Sequence, residues 1–166
     1  MRFTFTPLDE EDARAICSWR YEEPYAVYNI GSHSAEASAE MLDRRSPHYT
    51  VQDERGELIG FFSYGSSAQP WDSDEPGIYA ENGTVTIGLG LRPDLTGKGI
   101  GLAFINAGLN FAREQFAPHK LRLYVMTFNE RAIRAYEKAG FKRVRVYMQR
   151  NIYGEREFLE MDMEAK

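Results

Sequence analysis

Three alternating glycines, Gly97, Gly99 and Gly101, stand where a strand pattern gives way to a helix pattern. The first amide groups of a helix have no partner inside the helix, and the helix dipole adds partial positive charge there. Glycines remove the side chains that would keep a phosphate away from such amides. The segment "TGKGIG" therefore predicts a site for a phosphate-bearing ligand.

Two common nucleotide-binding motifs fit this segment poorly. A P-loop places a serine or threonine directly after its Gly-Lys pair, whereas Gly99 follows Lys98 here. A dinucleotide fingerprint has its third glycine at the position that Leu102 occupies. Both motifs are therefore disfavoured, and the glycine spacing does not by itself name the ligand.

The strand before these glycines, "TVTIGLGL", carries two more glycines on one face. A glycine inside a strand indicates a bulge or the close approach of another group, which is either a ligand or a tightly packed helix. We predict that the apolar face is core and that the glycine-bearing face is nearly bare. The period of two assigns Val85, Ile87, Leu89 and Leu91 to the apolar face, and Thr84, Thr86, Gly88 and Gly90 to the other.

A second candidate group follows in "NERAIRAYEKAGF", where Asn129 begins a predicted helix and Tyr136 lies two turns later on nearly the same face. Taken separately, Asn129 is typical of a helix N-cap and Tyr136 of a half-buried aromatic residue. Together with the upstream glycines, they indicate a shared ligand.

These two motifs resemble those of the GNAT superfamily of acyl-CoA-dependent N-acetyltransferases, over residues 84–141. The resemblance implies that acetyl-CoA is the co-substrate and that a primary amine, either a small molecule or a peptide, is the acceptor. It implies that strand backbone receives the pantetheine arm, that loop amides hold the pyrophosphate, that Asn129 binds the pantetheine region, and that Tyr136 protonates the departing thiolate. The predicted cofactor-binding residues are Leu89, Gly90, Leu91, Thr96, Gly97, Lys98, Gly99, Ile100, Gly101, Asn129 and Tyr136.

Two positions depart from the family pattern. Thr96 stands where an arginine or glutamine is usual, so one side-chain contact to the cofactor is missing. Many relatives carry a glutamate near the position of Thr86, which leaves the general base unassigned. The alternative function is therefore an acyl-CoA-binding sensor or interaction module without catalysis.

Two further segments combine aromatic and acidic residues, "RYEEPYAVYN" at residues 20–29 and "WDSDEPGIYAE" at residues 71–81. If both line the acceptor cavity, they favour a cationic amine through cation–π contacts and charge pairing. Glu81 and Glu23 are then the candidate catalytic bases beside Tyr136. The alternative is that the acids form a solvated surface and the tyrosines pack on the core.

Composition excludes several other classes of function. A net charge of −5 argues against a nucleic-acid partner, since binding a polyanion needs a basic surface. The single cysteine, Cys17, allows no intrachain disulfide, and it has no histidine nearby in sequence that would activate it as a nucleophile. His33, His48 and His119 lack metal-ligand spacing, so no metal is predicted.

The elements that must position these residues alternate between strand and helix patterns, which predicts an α/β fold with a mixed central sheet flanked by helices. Helices are predicted after the cap Asp9, at "SAEASAEMLDRR", after the glycine loop, and at "ERAIRAYEKAG", where Gly140 ends the helix. With 166 residues, the chain is predicted to be one domain, 1–166. No signal peptide or membrane span is predicted, so the expected location is cytoplasmic, and a homodimer is left open.

Overall fold

A computed structural model describes residues 2–30, 34–152 and 154–166 of the chain. His33 and Tyr153 lie outside the described residues. Within them, helices and strands follow each other in the order β1 Thr4–Pro7, α1 Glu10–Cys17, α2 Ser34–Met41, β2 His48–Gln52, β3 Leu58–Tyr64, β4 Thr84–Leu91, α3 Gly101–Phe116, β5 Lys120–Met126, α4 Glu130–Ala139, β6 Lys142–Asn151 and β7 Gly154–Glu164.

The chain forms two compact units. The first comprises the described residues of Met1–Ser63 together with Leu89–Phe104, and the second comprises Tyr64–Gly88 and Ile105–Lys166. Strand β4 and helix α3 each contribute residues to both units.

In the first unit, β1, β2 and β3 form an antiparallel series in which Phe5 lies opposite Val51 and Thr50 opposite Phe61. Helix α1 begins at a capping box, because the Asp9 carboxylate accepts from the Asp12 backbone N–H and Asp12 reciprocates. The predicted cap is therefore confirmed. The apolar side of this helix packs into a core formed by Leu8, Ala13, Ile16, Cys17 and Met41.

In the second unit, β4 pairs with β5 in parallel from Thr84 to Thr86, and β5, β7 and β6 follow as antiparallel neighbours. The hydroxyl of Tyr64 donates to the carbonyl of Gly108 in α3 at 2.9 Å. Helix α4 ends at Gly140, whose φ of +116° lies in the left-handed region that glycine favours. The predicted helix end is confirmed.

Parallel and antiparallel strand pairs together with four described α-helices confirm the predicted α/β class with a mixed sheet. The single domain over residues 1–166 stays a prediction. None of the helices in the described part of the chain has the length and apolar character needed to cross a membrane.

Candidate functional site

The glycine loop between β4 and α3 has left-handed backbone at two positions, Gly97 with φ +71° and Gly99 with φ +82°. The turn Pro93–Leu95 precedes it, and α3 begins at Gly101. A Cβ atom added at Gly99 or Gly101 would meet nothing within 4 Å. The start of α3 is therefore open on the side of these glycines, as a phosphate site requires.

The loop is fixed at its base by polar contacts within the first unit. The Thr96 hydroxyl donates to the carbonyl of Pro93 at 2.7 Å. Arg92 donates its backbone N–H to Ile59 at 2.8 Å and its Nη1 to the carbonyl of Leu58 at 2.9 Å. Thr96 thus stabilises the turn in this structure, while Lys98 is exposed.

The glycine-bearing face of β4 is not bare, and this part of the prediction is wrong. Thr86 is only 1% exposed. A Cβ atom added at Gly90 would lie 2.3 Å from Cε1 of Phe61, so a phenyl ring already fills that space. The other alternative, a helix packed closely on a glycine, is found at Gly60 on β3. A Cβ atom added there would lie 2.5 Å from Cζ of Phe104 in α3. Whether Gly90 binds the cofactor through its backbone stays a prediction.

We expect Gly90→Ala to lower the free energy of unfolding by about 1–3 kcal/mol, the usual cost of forcing an extra methyl group into a packed site. Urea denaturation of the variant and the parent measures this loss. Replacing Phe61 by leucine in the same chain should recover part of it, since the shorter side chain vacates the space over residue 90. If the double variant loses as much free energy of unfolding as the two single variants together, the contact between Phe61 and residue 90 is contradicted.

The buried Thr86 hydroxyl accepts two hydrogen bonds from Arg122 on β5, from Nε at 3.1 Å and from Nη2 at 2.8 Å. Arg122 is itself 6% exposed and also donates to the carbonyl of Ala80 at 2.6 Å. Its guanidinium carbon lies 5.2 Å from the ring centre of Tyr124. Thr86, near whose position many relatives have a glutamate, is therefore hydrogen-bonded here to the buried cation Arg122. The sequence did not predict this contact.

The segment at residues 20–29 is anchored on β4 within the first unit. The Tyr21 hydroxyl donates to the carbonyl of Leu91 at 2.7 Å, and burial raises the pKa of Tyr21 to about 12, so this phenol keeps its proton. The Asn29 side chain closes the segment by accepting from the Tyr21 backbone N–H at 2.7 Å. Glu23 lies in this segment and is exposed.

The acidic and aromatic loop at residues 67–83 lies in the second unit and is held by side chains of β5. The carbonyl of Ile78 accepts from the Tyr124 hydroxyl at 2.6 Å. Glu81 is exposed, and its carboxylate accepts from the buried Gln69 amide at 3.1 Å. Tyr79 contacts Tyr147 by a hydroxyl–hydroxyl bond of 3.1 Å. Of the residues predicted to bind the acceptor amine, Tyr79 thus packs on an aromatic core and Glu81 is solvated.

Asn129 and Tyr136 lie on one helix, also in the second unit. The Asn129 side-chain oxygen accepts from the Ala132 backbone N–H at 3.2 Å, which makes it the N-cap of α4. Tyr136 is half-buried, and its ring meets that of Phe141 edge to face at 6.1 Å. The cap and the ring contact fix both side chains, and their roles toward the cofactor stay predictions.

A sequence profile of the acetyltransferase (GNAT) domain matches residues 2–142 of the chain. The chain belongs to this family. GNAT acetyltransferases use acetyl-CoA as co-substrate, so the predicted family, the predicted class of enzyme and the predicted co-substrate are confirmed at the level of the family.

The curated relatives with significant similarity include two mycothiol acetyltransferases. That of Propionibacterium freudenreichii is 39% identical over 93 residues, which are 55% of this chain and 26% of the relative. That of Acidothermus cellulolyticus is 37% identical over 98 residues, which are 57% and 29% of the two chains. The matches thus span little more than a quarter of the length of these relatives.

Solved structures show the same fold over the full chain. A chimera of spermidine N-acetyltransferase SpeG from Vibrio cholerae with hSSAT has a TM-score of 0.71 at 19% identity, covering 99% of this chain and 97% of its own. A dodecameric spermidine N-acetyltransferase from Vibrio cholerae has a TM-score of 0.66 at 20% identity, covering 98% and 94%. At these identities, the similarity shows the fold alone.

Proposed function

We propose that this protein transfers the acetyl group of acetyl-CoA directly to a primary amine. The observation that carries the proposal is the glycine loop, in which left-handed Gly97 and Gly99 lead into the start of α3 and the space beside Gly99 and Gly101 is open. Membership in the GNAT acetyltransferases supports it.

In this proposal, the amides of residues 96–101 bind the pyrophosphate of acetyl-CoA, and the backbone of Leu89, Gly90 and Leu91 pairs with the pantetheine arm. Helix geometry supports the first part, because the first N–H groups of α3 have no acceptor within the helix. For the second part, the Tyr21 hydroxyl bond fixes the end of β4 and leaves the Leu91 carbonyl one further acceptor position. Asn129 is proposed to contact the pantetheine region.

Acetyl transfer makes three demands on the protein. The amine must be neutral to attack the thioester carbonyl, the oxyanion must be stabilised, and the departing thiolate must receive a proton. We propose that the Tyr136 hydroxyl donates the proton to the departing thiolate. A backbone amide near Leu89 or Leu91 is proposed to stabilise the oxyanion. A tyrosine protonates a thiolate efficiently only when the two groups are closely placed.

The acceptor class that we propose is a cationic amine. The names of similar proteins do not fix it, since they are a mycothiol acetyltransferase and a spermidine N-acetyltransferase. The support comes from aromatic and acidic residues in the two anchored segments, residues 20–29 and 71–81. Glu81 and Glu23, both exposed, are proposed to take the proton from the amine directly or through water.

Release of free CoA thiol from acetyl-CoA in the presence of an amine panel tests the proposed activity. Thiol release that depends on an amine supports catalysis. Tight binding of acetyl-CoA without thiol release for any amine would instead support the alternative of an acyl-CoA-binding module that has lost catalysis.

We expect Glu23→Gln or Glu81→Gln to raise KM for the amine or to lower kcat by about ten- to a hundredfold, since each removes a candidate base and a negative charge. Steady-state kinetics with the best amine of the panel measures this. Glu22→Gln is the matched control, because it removes the same charge from the neighbouring exposed position. Parent-like constants in both test variants, or a preference for neutral or anionic acceptors, would refute the assignment.

The protein is also proposed to have one domain, a cytoplasmic location and the ability to self-associate. We propose one catalytic domain over residues 1–166, for which full-length coverage by solved acetyltransferases is the support. A cytoplasmic location is supported by the single cysteine, which allows no intrachain disulfide. Self-association is part of the proposal because a spermidine N-acetyltransferase of the same fold is dodecameric.

A further inference from the structure

The loop at residues 67–83 forms a cavity of about 410 Å³ that is open to solvent and is lined by residues between Trp71 and Ala80. Cavities of roughly 300–1,000 Å³ are typical of small-molecule sites. Trp71 and Tyr79 form its aromatic wall, with ring centres 5.5 Å apart and ring planes inclined by 60°. The Trp71 side chain remains 51% exposed, so a large aromatic face is open to a ligand.

The backbone that presents this tryptophan is strained. Trp71 with φ +55° and Asp72 with φ +54° are consecutive left-handed residues, and neither is a glycine. Such conformations cost free energy and persist only where the surroundings hold them, which is most common at functional sites. The strain therefore points to a role for the orientation of these two side chains.

Neighbouring elements of the second unit hold the strained segment in place. Arg150 on β6 donates its backbone N–H to the carbonyl of Asp72 at 2.9 Å. The Tyr79 hydroxyl donates to the carbonyl of Trp71 at 3.2 Å. Asp74 donates its backbone N–H to Met148 on β6 at 3.0 Å. The wall of the cavity is thus preformed, which lowers the entropy cost of binding.

The charge at the cavity is negative. Asp72 and Glu75 both line it. Burial raises the pKa of Tyr79, and the hydrogen bond with Tyr147 lowers it. The nearby Asp72 carboxylate raises this pKa and Arg122 lowers it, so the Asp72 charge is close enough to act on the aromatic wall. The Asp72 carboxylate accepts a hydrogen bond of 3.5 Å from the uncharged side-chain amide of Asn151.

Three arginines on adjacent elements are engaged by other groups. Arg150 pairs with Asp74 at 3.3 Å and with Glu155 at 3.5 Å. Arg145 pairs with the buried Glu160 at 3.0 Å. The guanidinium of Arg122 is buried and donates to Thr86 and Ala80. Among the described residues, no basic side chain forms an ion pair with the Asp72 carboxylate, so a cationic ligand could pair with it at the aromatic wall.

We propose that the cavity walled by Trp71 and Tyr79 binds an organic ammonium group, and that this ammonium is the non-reacting end of the acceptor. The aromatic faces attract a cation through their quadrupoles, and the Asp72 carboxylate adds direct charge pairing. The second part rests on the proposed acetyl transfer and makes the acceptor a diamine or a larger polycation. The first part is independent of catalysis.

Binding of choline to the full chain, followed by NMR titration without acetyl-CoA, tests the first part. Choline cannot be acetylated on nitrogen, and 3,3-dimethylbutan-1-ol is its uncharged equivalent of the same shape. We expect choline to bind at least about tenfold more tightly than the alcohol, since the cation alone distinguishes them. Equal affinity, or no binding of choline, would overturn the ammonium site.

Variants assign the binding to the named residues. Trp71→Ala and Asp72→Asn should each weaken choline binding about three- to thirtyfold, while Trp71→Phe keeps an aromatic face and should lose less. Asp43→Asn is the matched control in the first unit, where Asp43 pairs with Arg45. Thermal unfolding of each variant confirms that it is folded. Parent-like affinity in both Trp71→Ala and Asp72→Asn would overturn the assignment.

A pair of acceptors tests the second part. The ratio of kcat/KM for 1,5-diaminopentane to that for pentylamine should fall about three- to thirtyfold in Trp71→Ala, because pentylamine has no second ammonium. An unchanged ratio would overturn the role in acceptor binding, even if choline binds. If the parent acetylates neither amine, the role in acceptor binding is overturned. The amine panel then decides the proposed function, and the choline titration decides the ammonium site.

Discussion

Gly99→Glu should weaken CoA binding by about a hundredfold or more. The new carboxylate would enter the open space beside the start of α3, where the pyrophosphate is proposed to lie, and like charges brought together at a binding site cost several kcal/mol. Isothermal titration calorimetry with CoA measures the change. If Gly99→Glu binds CoA as tightly as the parent, the pyrophosphate does not lie at these amides.

Two control variants separate this effect from backbone strain. Gly56 in the turn between β2 and β3 has a φ of +78° and, like Gly99, nothing within 4 Å of an added Cβ. Gly56→Glu therefore introduces the same strain and the same charge away from the glycine loop, and it should lower the melting temperature without changing CoA affinity. Gly101→Ala adds only a methyl group in open space at the start of α3 and should be folded.

Tyr136→Phe should lower kcat by about ten- to a thousandfold and leave CoA affinity nearly unchanged, since it removes the hydroxyl whose proton we assign to the departing thiolate. The loss should shrink with an acyl donor whose thiol is more acidic, because such a thiolate needs the proton less. Steady-state and single-turnover kinetics measure both effects. An unchanged kcat where chemistry is rate-limiting would remove Tyr136 from the mechanism.

Tyr64→Phe is the matched control for this change. The Tyr64 hydroxyl is buried and donates to the carbonyl of Gly108. Its removal leaves a buried carbonyl without this donor, which should cost about 1–3 kcal/mol of stability. We therefore expect a lower melting temperature with kcat retained, the opposite pattern to that of Tyr136→Phe.

Local signals in the sequence were sufficient to predict most elements, although the helix predicted over residues 34–45 ends at Met41. Asp9 and Gly140 mark helix ends through cap chemistry that depends only on neighbouring residues, and both predictions are confirmed. The alternation in "TVTIGLGL" likewise predicts β4 because side-chain period is a local property. The glycine loop is recognisable for the same reason, since its spacing precedes a helix start.

Contacts between distant residues could not be predicted in this way. Nothing near Gly90 in the sequence shows that Phe61 occupies the space above it, because that contact depends on how β3 and β4 lie side by side. The bond from Tyr21 to Leu91 and the burial of Arg122 against Thr86 are equally distant in sequence. Periodicity indicates which face of a strand is apolar but not which neighbour covers the other face.

The two pairs of glycine and phenyl ring in the first unit, Gly60 with Phe104 and Gly90 with Phe61, constrain how this sequence can diverge. Each ring stands where a side chain on the opposite residue would begin, and the Gly60 position also meets the carbonyl of Gly90. A substitution at Gly90 is therefore best tolerated once Phe61 has been replaced by something smaller, whereas one at Gly60 still meets the Gly90 carbonyl after Phe104 is replaced. Among homologues, we expect Gly90 and Phe61 to change together and Gly60 to change least.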